Sequence, residues 1–159
     1  MKRSPALAAA FGLALCGAAL AHGDGHDGHN AQDFAFGKPG DPHKSAREVD
    51  VVMREEDGKM LFSPQRVEIR QGEQVRFVLK NAGTLDHEFV LGTREANLAH
   101  EAVMAENHEM AHDEPNEANL QPGATRDLVW KFTRSGEFDF SCLIPGHREA
   151  GMTGVVVVQ

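Results

Sequence analysis

The sequence predicts an all-β fold, a sandwich or barrel, with one short helical insertion and an unstructured arm in front of it. Three observations predict this. From Arg47 onward apolar and polar residues alternate in short runs, the period of a half-buried strand. Turn residues such as Gln71-Gly72-Glu73 and Asn81-Ala82-Gly83 separate those runs. One segment, Arg94 to about His112, contains no Gly or Pro and is rich in Ala, Glu and Met, which marks a helix.

The chain of 159 residues has the length of one ordinary domain. Its start reads as an export signal. Met1-Lys2-Arg3 is basic, Ala6 to Leu20 is almost wholly Ala, Leu, Gly and Phe, and Ala19-Leu20-Ala21 has the small-x-small form of a cleavage site. The apolar run is short and polar residues follow at once, which argues against a transmembrane helix. A lipid anchor through Cys16 is the weaker reading, because Leu15 stands where a small residue is wanted. Cleavage after Ala21 places the protein in the periplasm with His22 at its start and no membrane span. Residues 22–45 then form a flexible His/Gly/Asp-rich arm whose His22, His26 and His29 suit labile copper binding.

The strands follow in order. Val49, Val51 and Met53 alternate with Asp50, Val52 and Arg54. Lys59 to Phe62 ends at Ser63-Pro64, and Val67 to Arg70 alternates again. Val75, Phe77 and Leu79 share one face of the next run, and His87 opens an apolar run to Leu91. Beyond the insertion come Leu128 to Phe132, Gly136 to Ser141 and Val155 to Val158. Seven or eight short strands of this kind imply a sandwich or barrel.

Charge and cysteine narrow the function. A formal net charge of −8 opposes non-specific nucleic-acid binding and suits cations or a basic partner, and it equally serves solubility. Removing the signal removes Cys16 and leaves Cys142 alone, so the mature monomer has no internal disulfide. A lone thiol in an oxidising compartment is a buried inert residue, half of an intermolecular disulfide, or a metal-held thiolate.

The neighbours of Cys142 favour the metal. Cys142, His147 and Met152 share the stretch Ser141 to Gly154, with four residues between each successive pair. Pro145-Gly146 bends the first gap. Thiolate and thioether favour Cu(I), imidazole serves both copper states, and two His, one Cys and a weak Met form an electron-transfer copper site. The missing imidazole falls to His87, which follows the Asn81 to Asp86 turn and opens a strand.

The chain resembles the cupredoxins, the type 1 copper proteins. The similarity rests on Phe62-Ser63-Pro64, Val67-Glu68-Ile69, Gly72-x-x-Val75, Asn81 with a downstream His87, and Gly136-x-Phe138-x-Phe140-x-Cys142. It covers residues 46–159, apart from a helical insertion at 94–114. The resemblance implies a Greek-key β-sandwich and a main copper site of His87, Cys142, His147 and Met152, with gaps more similar to rusticyanin's than to plastocyanin's. Glu88 stands where azurin-like members have an Asn that braces the ligand loop.

The insertion adds a second constellation. His100, Met104, His108 and His112 recur every four residues along a helix. A row ~18 Å long cannot share one ion, so a second copper site is expected from Met104, His108, Met110 and His112. A solvated acidic helix with its Met packed on the sandwich is the plainer reading. The His arm and the His/Met insertion resemble periplasmic copper-tolerance cupredoxins. That implies binding of copper ions and oxidation of Cu(I). A plain one-electron carrier serving a redox partner is the alternative, and a Cys142/His147 thiol enzyme ranks last because it leaves Met152 and His87 unused.

Overall fold

Alternation builds the sheets. In β5 (Gln74–Asn81), Val75, Phe77 and Leu79 are buried while Arg76 and Val78 are only partly covered. The same pattern runs through β2 (Arg47–Glu56), β4 (Arg66–Ile69), β8 (Thr125–Phe132) and β10 (Thr153–Val158). β3 (Lys59–Ser63), β6 (His87–Gly92), β7 (Glu117–Leu120), β9 (Gly136–Ser141) and a short β1 (Gly37–Pro39) complete the strands. The computed structural model describes residues 34–106 and 114–159. It arranges them as two five-stranded sheets, ordered β1-β8-β5-β2-β3 and β4-β10-β9-β6-β7. β2 with β5 and β10 with β4 pair in parallel, and the remaining neighbours are antiparallel.

Aromatic rings join the sheets. Phe89 of β6 stacks on Phe140 of β9 with centroids 5.1 Å apart. Phe62 of β3 meets Phe140 edge-on at 5.2 Å, and Phe77 of β5 reaches Phe89 at 5.3 Å. Each such ring, withdrawn from water, contributes about 2–3 kcal/mol. The two strands so locked, β6 and β9, carry His87 and deliver Cys142.

Two stretches depart from the sequence reading. The expected arm over 22–45 is packed structure from Phe34 onward. Phe36 is buried and stacks on Trp130 at 5.0 Å, Phe34 meets the same indole edge-on, and β1 pairs with β8. Two phenyl rings with a partner outweigh the Gly and Pro around them. The strand β7 was also not anticipated. Its four residues, Glu117 to Leu120, carry little pattern alone and gain their place by pairing with β6, His87 opposite Leu120. The export signal, the arm residues His22, His26 and His29, and the insertion residues His108, Met110 and His112 lie outside the described residues.

The expected helix is present as α1, Arg94–Glu106. Thr93 caps it, its Oγ1 accepting the Ala96 N–H at 3.1 Å. Asn97 docks it: the buried amide donates to Val90 O of β6 and, at 2.8 Å, to Asp139 Oδ2 of β9. Among the described residues no helix is long and apolar enough to cross a membrane.

Candidate metal centre

Three side chains converge at one end of the sandwich. His87 is the first residue of β6, Cys142 directly follows β9, and His147 lies on the loop between β9 and β10. Their donor atoms all lie within 4.8 Å of one another. His87 Nδ1 is 3.3 Å from His147 Nδ1, which is 3.3 Å from Cys142 Sγ. Among the described residues this is the one group of three or more His, Cys, Asp or Glu with such spacing.

The loop is wound tightly to achieve this. His147 N–H donates to Ile144 O, Met152 N–H to His147 O, and Cys142 N–H to Met152 O, all within 3.1 Å. Gly146 takes φ +87°, where a side chain is disfavoured, and so turns the chain between thiol and imidazole. Met152 is fully buried and its backbone closes the loop onto Cys142.

The thiol is shielded from water. Burial pushes Cys142 up to about 12, with the Glu88 and Glu101 carboxylates adding to the effect against the N–H groups of Glu88 and Ile144. The Glu88 N–H points at the sulfur from 3.3 Å. A thiol this poor at ionising is a poor free nucleophile at neutral pH. His147 is shifted downward, by burial first and by His87 second, so it favours the neutral ring that offers a lone pair.

The donor set fits a late transition metal. Donors each about 2.0–2.3 Å from one ion stand roughly 3.3–4 Å apart. The imidazole–imidazole and thiol–imidazole separations are already of that size. One sulfur and two imidazoles suit copper or zinc; a thioether from Met152, whose backbone closes the same loop, would shift the choice to copper.

The residues behind the donors were less legible. Asn81 is buried and braces the turn before His87: its Oδ1 accepts the Gly83 N–H, and its Nδ2 donates to Leu85 O and Leu120 O. That bracing does not use position 88, so Glu88 does not leave the turn loose. Glu55 of β2 was not anticipated. Its Oε1 lies 2.7 Å from His87 Nε2. Glu55 sits in the run Arg54-Glu55-Glu56, which looks like any solvated strand edge, and no local signal ties it to a residue 32 positions away.

The expected second site is only partly in view. Met104 of α1 is half-buried and lines a cleft with Glu88, Ile144 and Pro145, beside the donor loop. His100 Nδ1 lies 3.9 Å from Glu117 Oε1 of β7.

Comparison with known proteins agrees with this geometry. The family of copper binding proteins of the plastocyanin/azurin type matches residues 49–159. The copper-resistant cuproprotein CopI of Rubrivivax gelatinosus is 46% identical over 140 residues, spanning 87% of this chain and 83% of its own length. CopI of Pseudomonas aeruginosa is 36% identical over 158 residues, spanning 81% and 85% respectively. Among solved structures, auracyanin B is similar in fold, with a TM-score of 0.63 and 23% identity over 78% of this chain and 96% of that one.

Proposed function

The chain belongs to the plastocyanin/azurin family of copper-binding proteins, and from that premise we propose a periplasmic cupredoxin acting in copper tolerance. His87, Cys142, His147 and Met152 would hold one tight copper. The observation that carries this is the approach of one buried thiol and two imidazoles to within 4.8 Å. Kinship with proteins called copper-resistant supports the physiological role.

When bound, copper supplies a one-electron Cu(I)/Cu(II) couple. The chain supplies everything else. Strands β6 and β9 fix His87 and Cys142, so the donors need little movement between redox states. The Glu88 N–H stabilises negative charge on Cys142 Sγ. Burial of Cys142 and Met152 keeps water and oxidants from the sulfurs. Copper ions are also the cargo in this reading. Met104, His108, Met110 and His112, together with His22, His26 and His29, would capture additional ions, and oxidation of Cu(I) at the main site would pass one electron per ion to a redox partner. The cleft that joins Met104 to Ile144 and Pro145 supports a route between the two.

A plain electron carrier is the second reading, favoured by the same rigid, buried donor set. Copper stoichiometry separates the two, as argued below. The copper site itself is tested by an optical titration with Cu(II). A strong visible sulfur-to-copper band is expected, and Cys142→Ser should abolish it. Absence of the band in the unaltered protein, or its survival in the variant, ends the proposal.

A further inference from the structure

We propose that Glu55 is a positioning residue of the metal centre: its carboxylate takes the Nε2–H of His87, leaves Nδ1 to face Cys142 and His147, and biases bound copper toward Cu(II). This rests on the reading of His87 as a ligand and extends it.

Geometry comes first. Glu55 Oε1 lies 2.7 Å from His87 Nε2, within the range of a charge-assisted hydrogen bond. An ionised carboxylate only accepts, so the proton must sit on Nε2. The lone pair is then on Nδ1, the nitrogen that lies 3.3 Å from His147 Nδ1. An acceptor on the distal nitrogen of a ligating imidazole sets its tautomer and raises its basicity.

The carboxylate is itself held. Thr84 donates to Oε2 through its N–H at 2.8 Å and its hydroxyl at 3.3 Å, and the Leu85 N–H reaches Oε1 at 3.2 Å. Three donors, the Thr84 N–H and hydroxyl and the Leu85 N–H, thus face the two carboxylate oxygens, an arrangement that favours the ionised acceptor. A Cβ at position 83 would strike both carboxylate oxygens, so Gly83 gives Glu55 its room. The Ala82 N–H also donates to Met53 O of β2 at 2.9 Å, tying the turn to the strand that carries Glu55. Glu55 therefore reaches from one sheet to a ligand on the other.

Charge gives the second half. A fixed negative charge one imidazole away from copper stabilises the dication more than the monocation. The Glu55 side chain is 24% exposed, so water attenuates the effect. Neutralising it should reduce the preference for Cu(II) over Cu(I) about tenfold, a rise in potential of about 59 mV.

The test uses the full-length protein. Nitrogen NMR on the metal-free form should find the His87 proton on Nε2 and the lone pair on Nδ1. Voltammetry of the copper-loaded protein should find the potential of Glu55→Gln raised by that amount, with the visible band retained because the amide oxygen still accepts. Glu55→Ala should raise the potential and also shift the band, since the ring loses its acceptor. A lone pair on Nε2 in the unaltered protein overturns the proposal without recourse to any variant. So does a Glu55→Gln potential equal to that of the unaltered protein. If the unaltered protein shows no band at all, the copper reading fails and takes the bias on potential with it. The tautomer still decides whether Glu55 orients His87.

Discussion

Arg148, the residue after His147, is clamped to Asp139 of β9, with Nη1 2.8 Å from Oδ2 and Nη2 3.3 Å from Oδ1. The Ser141 hydroxyl lies between them, bonded to both. Thr153 Oγ1 donates to Asp139 Oδ1, and Asn97 of α1 donates to Oδ2. One buried carboxylate thus gathers the end of β9, the start of β10, the helix and the donor loop. A loop fixed at its middle as well as its ends presents His147 at a set distance from Cys142.

Removing Arg148 should therefore cost stability and loosen the site. Arg148→Ala leaves the Asp139 charge nearly buried without its cation, a loss of about 3 kcal/mol. Urea unfolding of the metal-free protein measures it. Copper should also leave the variant faster on addition of a chelator. An unchanged midpoint and an unchanged release rate would show that the clamp is incidental.

Acid should act through the same carboxylate. Burial raises the pKa of Asp139, but Arg148, Ser141 and Asn97 outweigh it and hold it below 3.8. Its folded value is thus depressed, so its contribution is present above the unfolded value and disappears as pH falls through the folded one. Metal-free protein should lose stability below about pH 4, and Asp139→Asn should flatten that limb. Glu101 has the opposite sign. Burial and Glu149 raise its pKa, Arg148 offsets them only in part, and its Oε1 finds no hydrogen-bond partner among the described residues. Glu101→Gln should be neutral or stabilising at pH 7 and lose any advantage in acid, as thermal melts at both pH values would reveal.

Much of this site is legible in the sequence. Cys142 and His147 belong to one loop, so their spacing and the Pro145-Gly146 bend suffice to bring them together. His87 was legible because strand alternation places it at a strand start, next to a turn. Glu55 and Asp139 were not: Glu55 acts across the sandwich on a residue 32 positions away, and Asp139 acts on the helix, the next strand and the donor loop. Charge on a strand reads as solvent exposure until its partner is known. The segment around Phe36 was misread for a related reason. Its value depends on Trp130, and composition alone records only Gly, Pro and Asp nearby.

That segment belongs to the folded unit. Phe36→Ala should destabilise the protein by about 3–5 kcal/mol, because a buried ring is removed from a stack that cannot close over the gap. A chain starting at Phe34 should melt close to the full-length value, whereas one starting at Asp41 loses β1 and both rings and should melt well below it. Equal melting points for the two truncations would restore the idea of an arm reaching to residue 45.

Copper counting decides between tolerance and simple electron transfer. A carrier needs one ion, held by donors that barely move. Capture needs further ions at softer, more accessible ligands, and thioethers select Cu(I). Met104 lies beside Ile144 and Pro145, so an ion taken up on α1 would sit close to the donor loop and have a short path to Cys142. The full-length protein dialysed against Cu(I) under reducing conditions should retain more than one copper per chain. Replacing His22, His26, His29, Met104 and His108 together should reduce that to one, while the visible band after Cu(II) addition stays intact because none of the five belongs to the main site. Replacing Met104 alone should slow Cu(I) arrival at the main site without changing the band. If the unaltered protein holds a single copper, and the Met104 variant fills at the same rate, the chain is a carrier and its extra His and Met residues have no part in copper capture.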